Sequence, residues 1–133
     1  MTTFKRSLMS ISKELIAYAI QAIAAMPCVQ MSPQSLAEDA ILLSYAFTME
    51  EDYLAAVAST CRALSQIEQK LVTTVDLKYQ FATWQCYHYQ HKVAQGQRAN
   101  MRIVFRRTKE GIQVRAFGHR RLPHDFYDLL VSR

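Results

Sequence analysis

The spacing of apolar residues changes near Val72-Thr73-Thr74, and that change limits the folds open to the chain. Before it, apolar side chains recur at helical intervals. After it, β-branched and aromatic residues dominate and the period falls towards two. Helices bury a stripe and strands bury a face, so one arrangement satisfies both: helices laid on one face of a sheet. The sequence therefore predicts an α+β fold, with N-terminal helices packed on a small, mainly antiparallel C-terminal sheet and a short C-terminal helix. No Gly/Ser/Pro-rich linker divides the two parts, and 133 residues suit one domain. Within it, residues 1–73 form the helical part and residues 74–133 the β-rich part.

Local signals place the elements. Thr3 to Met9 alternates loosely and reads as a short first strand. Ser12 precedes a helix carrying Leu15, Ile16, Ala19, Ile20 and Ile23 on one face, closed by Pro27. Ser32-Pro33 opens a second helix with a capping hydroxyl and a proline at its first position. Thr48-Met49-Glu50-Glu51 reads as a capping box before a third helix through Tyr53, Leu54, Val57, Cys61, Leu64 and Ile67. Trp84 to Val93 is the next strand, and Ala94 to Asn100 a turn or loop. Met101 to Arg107 and Ile112 to Phe117 form a hairpin around Thr108-Lys109-Glu110-Gly111, where Gly111 is free to take a positive φ. Asp125 to Val131 is the terminal helix.

Charge divides along the same line. Residues 1–73 hold five basic against seven acidic residues, a net −2. Residues 74–133 hold eleven against four, a net +7, together with all four histidines. A segregated basic half points to a polyanionic partner. Cys28, Cys61 and Cys86 are odd in number and scattered, fitting neither a disulfide framework nor a zinc site, and are expected to be buried reduced thiols. His88-x-x-His91 on a strand turns its rings to opposite faces, so no metal site and no cofactor is expected. No apolar run is long enough to span a membrane, and no signal peptide is read at the N-terminus, which places the chain in the cytoplasm.

Strand parity sorts the hairpin. Met101, Ile103 and Phe105 share one face with Ile112, Val114 and Ala116, under the helices. The opposite face then presents Arg102, Val104 and Arg106 with Gln113, Arg115 and Phe117, too charged to bury. Cations with an aromatic ring suit a phosphate backbone and a stacked base. Lys92, Arg98 and Arg121 extend this RNA-binding set.

The run from Asn100 to Arg121, followed by Asp125-Phe126-Tyr127, resembles the C-terminal end of a RelE/ParE-superfamily toxin. There, a strand of the form Arg-(Ile/Leu)-(Val/Ile)-(Phe/Tyr) meets a hairpin partner ending in Gly-(His/Lys)-Arg, with a tyrosine several residues later. The likeness covers about a quarter of the chain, and Thr3–Met9 with the Ser12 helix is similar to the family's opening. It implies a RelE-type endoribonuclease that cuts messenger RNA at the ribosome and is neutralised by a cognate antitoxin protein. Arg102 then stabilises the scissile phosphate, Arg120 matches the arginine after Gly-His, and Tyr127 positions substrate or assists proton transfer.

Cleavage by the RNA's own 2′-hydroxyl needs a base, an acid and cations, without a metal. His119, beside Arg120, is the first choice for proton transfer and His88 the second. The chain is longer than its likeness by about one helix, and the added helical part has three roles open to it: extending the ribosome contact, forming a homodimer, or holding the neutralising partner. The alternative reading is a non-catalytic binder on the same fold, either a gyrase-poisoning toxin or a phage or plasmid interaction protein.

Overall fold

The computed structural model describes residues 10–91 and 98–133. Among these lie the helices α1 (Lys13–Ala24), α2 (Pro33–Ala46), α3 (Glu50–Glu68) and α4 (Phe126–Ser132). The strands are β1 (Val29–Met31), β2 (Val75–Asp76), β3 (Gln85–Tyr89), β4 (Met101–Arg107) and β5 (Ile112–His119). The α+β fold expected from the change of period is the fold found. The expected strand at Thr3–Met9, and residues 92–97 of the expected β3 end and loop, lie outside the described residues.

Side-chain caps start three helices where the sequence places them. The Ser12 hydroxyl accepts from Leu15 N at 3.2 Å, Ser32 from Ser35 N at 3.5 Å, and the Asp125 carboxylate from Tyr127 N at 2.9 Å. The expected capping box at Thr48 does not form: the N-cap of α3 is Met49, and its side chain makes no cap bond. Glu50, Glu51 and Asp52 in the first turn instead place negative charge against the helix dipole.

The sheet order is β1-β5-β4-β3-β2, with β1 parallel to β5 and the other pairs antiparallel. β1 and β2 were not expected, being three and two residues long and so too short to show alternation. β3 ends at Tyr89 rather than running on to Val93.

Both faces of the sheet are covered. Helices α1 to α3 bury Met101, Ile103, Phe105, Ile112, Val114 and Phe117 with Ile23, Leu43, Tyr53 and Leu64. On the other face, Phe126 and Leu130 of α4 close over Trp84, Cys86, Val104 and Ala116. Two parity expectations are thereby corrected. Ala116 lies on the α4 face, and Phe117, at 1% exposure, is a core residue under the helices. The cause is a bulge: Val104 pairs with Ala116 but Phe105 with Val114, so Arg115 has no partner across the ladder and the parity of β5 switches there.

The bulge also explains how the outer edge of β5 is closed. β1 pairs with β5 only over Ile112–Val114. Beyond it, Phe117 N–H donates to Asp39 Oδ2 at 3.0 Å, and the Arg115 carbonyl accepts from Arg133 Nη1 at 3.1 Å. Arg133 forks onto Asp39 at 2.8 and 2.7 Å and reaches Glu38 at 3.2 Å. A carboxylate from α2 and a guanidinium after α4 thus stand in for the missing neighbour strand. Burial raises the Asp39 carboxyl above its ordinary pKa, against the opposing pull of Arg133 and the Phe117 amide.

Gly111 takes a φ of +149°, and a Cβ there would overlap the Cys28 carbonyl oxygen and lie 2.6 Å from the Cys28 Cβ. That oxygen accepts from Ile112 N at 2.9 Å, so the hairpin turn is pressed onto the segment leading into β1. Cys28 itself is exposed, unlike the buried thiol expected, while Cys61 is half-buried and Cys86 buried.

Candidate polyanion-binding site

Cross-strand register brings the first pair of site residues together. His88 of β3 stands opposite Arg102 of β4, and Arg102 opposite Gly118 of β5. Arg102 was expected on an open face, but it is only 2% exposed. It is accommodated because its Nη1 donates to the carbonyls of Ala99 at 2.8 Å and Met101 at 2.9 Å, while its Nε finds no protein acceptor. The Tyr127 hydroxyl, from the first turn of α4, lies near enough to Arg102 and the Cys86 thiol for both to act on its pKa. Burial, then Cys86, raises the Tyr127 pKa, so the phenol keeps its proton.

Around this centre the arginines act on one another and on two histidines. The His88 pKa is lowered by partial burial, then by Arg102 and Arg98. That of His119 is lowered by burial, then by Arg120 and Arg102. Arg120 is lowered by desolvation and by Arg121, Arg98 and Arg102. No carboxylate is among the charges acting on these three groups. Cations grouped in this way favour an incoming anion.

Asn100 ties the strand ends into this arrangement. Its amide donates to His91 O at 2.8 Å and its side-chain oxygen accepts from His91 N at 2.9 Å, while its carbonyl accepts from Arg120 N at 2.9 Å. Sequence reasoning passed over it, since a lone Asn before a strand gives no signal beyond turn preference. A cleft of about 400 Å3 opens beside His88, lined by Ser59, Arg62 and Gln66 of α3 and by Tyr87 and Tyr89 of β3.

His119 takes a different part from the one expected. Its Nδ1 accepts from the amides of Arg121 and Leu122, both at 3.0 Å. In the tautomer these bonds assign, the neutral ring carries its hydrogen on Nε2. Its only lone pair is shared between two backbone donors, so the ring caps the turn and is poorly placed to act as a base. His88 is exposed, and among the described residues no backbone amide occupies its ring nitrogens, which leaves it the better proton acceptor of the two.

The remaining expected residues divide by position. Arg98 and Arg121 are exposed and border the cluster. Arg106 and Arg115 lie at the other end of the α4 face, where Trp84 sits 4.6 Å from Arg106 Cζ and 5.1 Å from Arg115 Cζ, with Phe81 5.3 Å from Arg115. Arg106 Nε also donates to Gln113 at 2.8 Å. These two arginines stack on aromatic rings, separated from the cluster by the Val104–Ala116–Phe126 packing. Phe117 is buried in the helix-side core and does not lie on the open sheet face where it was expected, and Lys92 lies outside the described residues.

Comparison of the chain with models of protein families, with curated proteins and with solved structures returns no match. Among the described residues no helix is long and apolar enough to cross a membrane.

Proposed function

We propose that the chain binds single-stranded RNA through Arg98, Arg120 and Arg121, set over the buried Arg102, and cleaves it as a toxin-type endoribonuclease. The observation that carries this reading is the grouping of His88, Tyr127 and Arg120 around Arg102, with Arg98 acting on both His88 and Arg120. In the reaction His88 takes the proton of the ribose 2′-hydroxyl, whose oxygen attacks the adjacent phosphorus. The bond from phosphorus to the 5′-oxygen breaks, leaving a 2′,3′-cyclic phosphate and a 5′-hydroxyl. Tyr127, holding its proton, is the donor to the departing oxygen, and Arg120 stabilises the charge on the phosphorane, with the buried Arg102 adding its charge from beneath. The resemblance to RelE-type toxins extends the reading to messenger RNA on the ribosome and to a neutralising antitoxin partner.

The test is induced expression with mapping of messenger RNA ends, together with purified protein on single-stranded RNA. Arg120→Ala is the preferred variant, because Arg102→Ala would also remove two backbone bonds and is read only beside a melting curve. New cuts in translated messages that Arg120→Ala and His88→Ala abolish are the expected result. RNA that is bound but never cut would move the reading to the non-catalytic binder.

A further inference from the structure

Next to the cationic cluster, on the far side of the His119–Arg120 turn, lies an apolar cavity of about 260 Å3 between α2, the end of β5 and α4. Its floor is formed by Leu43, Phe117 and Phe126, all nearly fully buried, and its walls by Leu42, Leu129 and Pro123. Few polar side chains line it: His119, His124, Asp128 and Ser132. This composition, apolar walls with a few placed donors and acceptors, is that of a ligand pocket, and the volume is just below the usual range of about 300–1,000 Å3. It is sized for one ring system and too small for a helix or strand of a partner.

The strand geometry adds backbone polarity. Phe117 N–H points to the outer edge of β5, towards Asp39, and Arg120 N–H points inwards to Asn100 O. Alternation along β5 therefore turns the His119 amide outwards, on the cavity side. The occupied Nδ1 leaves His119 with Nε2–H as its free donor. One residue further on, Arg120 belongs to the phosphate-binding cluster.

We propose that this cavity receives a nucleobase of the bound RNA, the one next to the phosphate held by Arg120. The inference rests on the RNA-binding reading above and adds to it a subsite for a flipped-out base. Unstacked bases are commonly held between apolar or aromatic side chains, with their edges hydrogen-bonded to nearby polar groups. The His119 turn then joins the two halves of the site, the phosphate on one side and the base on the other.

The experiment is fluorescence anisotropy with the full chain and a short single-stranded RNA, intact or with one abasic ribose moved along the sequence. The intact RNA is expected to bind about tenfold more tightly than the oligomer whose abasic position falls at the cavity, in line with the usual weight of one stacked base. Leu42→Trp, which fills the cavity, should bring the intact RNA to the abasic level and leave the abasic RNA unchanged. Equal binding of intact and all abasic RNAs by the wild type would overturn the base subsite while the phosphate reading stands. An absence of binding by any RNA would overturn both. Should Leu42→Trp fail to fold, 2-aminopurine placed at the same RNA position decides with the wild-type protein. A change of at least twofold in emission on binding supports the subsite, and emission unchanged in the bound complex refutes it.

Discussion

Removing Arg133 should destabilise the protein more than removing Asp39, although the two share the same fork. Asp39 is fully buried, with its carboxylate accepting from Arg133 twice and from Phe117 N–H once. Arg133 keeps some contact with solvent and has Glu38 as a second partner. In Asp39→Ala the freed guanidinium can turn to Glu38 and water, whereas in Arg133→Met a carboxylate is stranded in the interior. Breaking a buried pair in this way typically costs about 3–5 kcal/mol, and Arg133→Met belongs at the upper end. For a chain of this size that corresponds to a fall in Tm of about 10–18 °C. The stranded carboxyl should take up a proton. Its folded pKa then lies above the unfolded value of 3.8, so its stability contribution is complete below that value and is lost as pH rises through the folded pKa. The deficit of Arg133→Met should therefore shrink as pH falls from 7 towards 4. Urea denaturation of both variants at several pH values measures this. A larger loss for Asp39→Ala, or an Arg133→Met deficit that ignores pH, would refute the reasoning.

Other perturbations follow from single contacts. Gly111→Ala forces a side chain into the Cys28 carbonyl at a positive φ and should cost about 1–3 kcal/mol, read as a lower Tm. Thr60 donates to Ala56 O at 2.9 Å, so the Tyr89 hydroxyl, 2.7 Å away, must donate to Thr60. Thr60→Val strands that hydroxyl and should cost about 1–3 kcal/mol, against a near-neutral Thr60→Val/Tyr89→Phe double variant. His119→Asn, with an oxygen to accept from the Arg121 and Leu122 amides, should keep RNA cleavage, while His88→Ala loses it; the reverse pattern in a cleavage assay returns the base role to His119. The lowered His88 pKa leaves the ring neutral at pH 7, so RNA affinity should rise as pH drops below the ordinary imidazole value of 6.5, with proton uptake on binding measurable by calorimetry. The same shift removes stability from the free protein over that interval, because the unfolded chain then binds the proton more readily.

The helix starts were legible because their signals are local: Ser12, Ser32-Pro33 and Asp125 each bond to an amide two or three residues on. The hairpin was legible for the same reason, with Gly111 at its turn. The parity of β5 was not. Ile112, Val114 and Ala116 alternate with Gln113, Arg115 and Phe117 as an unbroken strand would. What breaks the alternation is a bulge at Arg115, and the edge amide beyond it, that of Phe117, is satisfied by Asp39, 78 residues earlier in the chain. The same long-range packing buried Phe117 and separated Arg106 and Arg115 from Arg102. The neighbourhood was legible in part: His88, Arg120 and Tyr127 lie around Arg102, but Arg102 itself is buried rather than on the open face that strand parity gave it. The role of His119 was not, because it depends on where one ring nitrogen points.

The two-sided packing of the sheet gives the protein a built-in spectroscopic division. Its one tryptophan, Trp84, belongs to the α4 face, wedged against Arg106 and Arg115. The two buried tyrosines, Tyr53 and Tyr89, belong to the helix face. Tryptophan emission therefore follows the loss of α4 and its small cluster, while far-ultraviolet dichroism is dominated by α1 to α3 on the other side. Superimposable denaturation curves from the two signals would mean that the faces melt as one cooperative body. An earlier tryptophan transition would make the α4 face, and with it Tyr127 and the cationic cluster, a separately opening layer of the molecule.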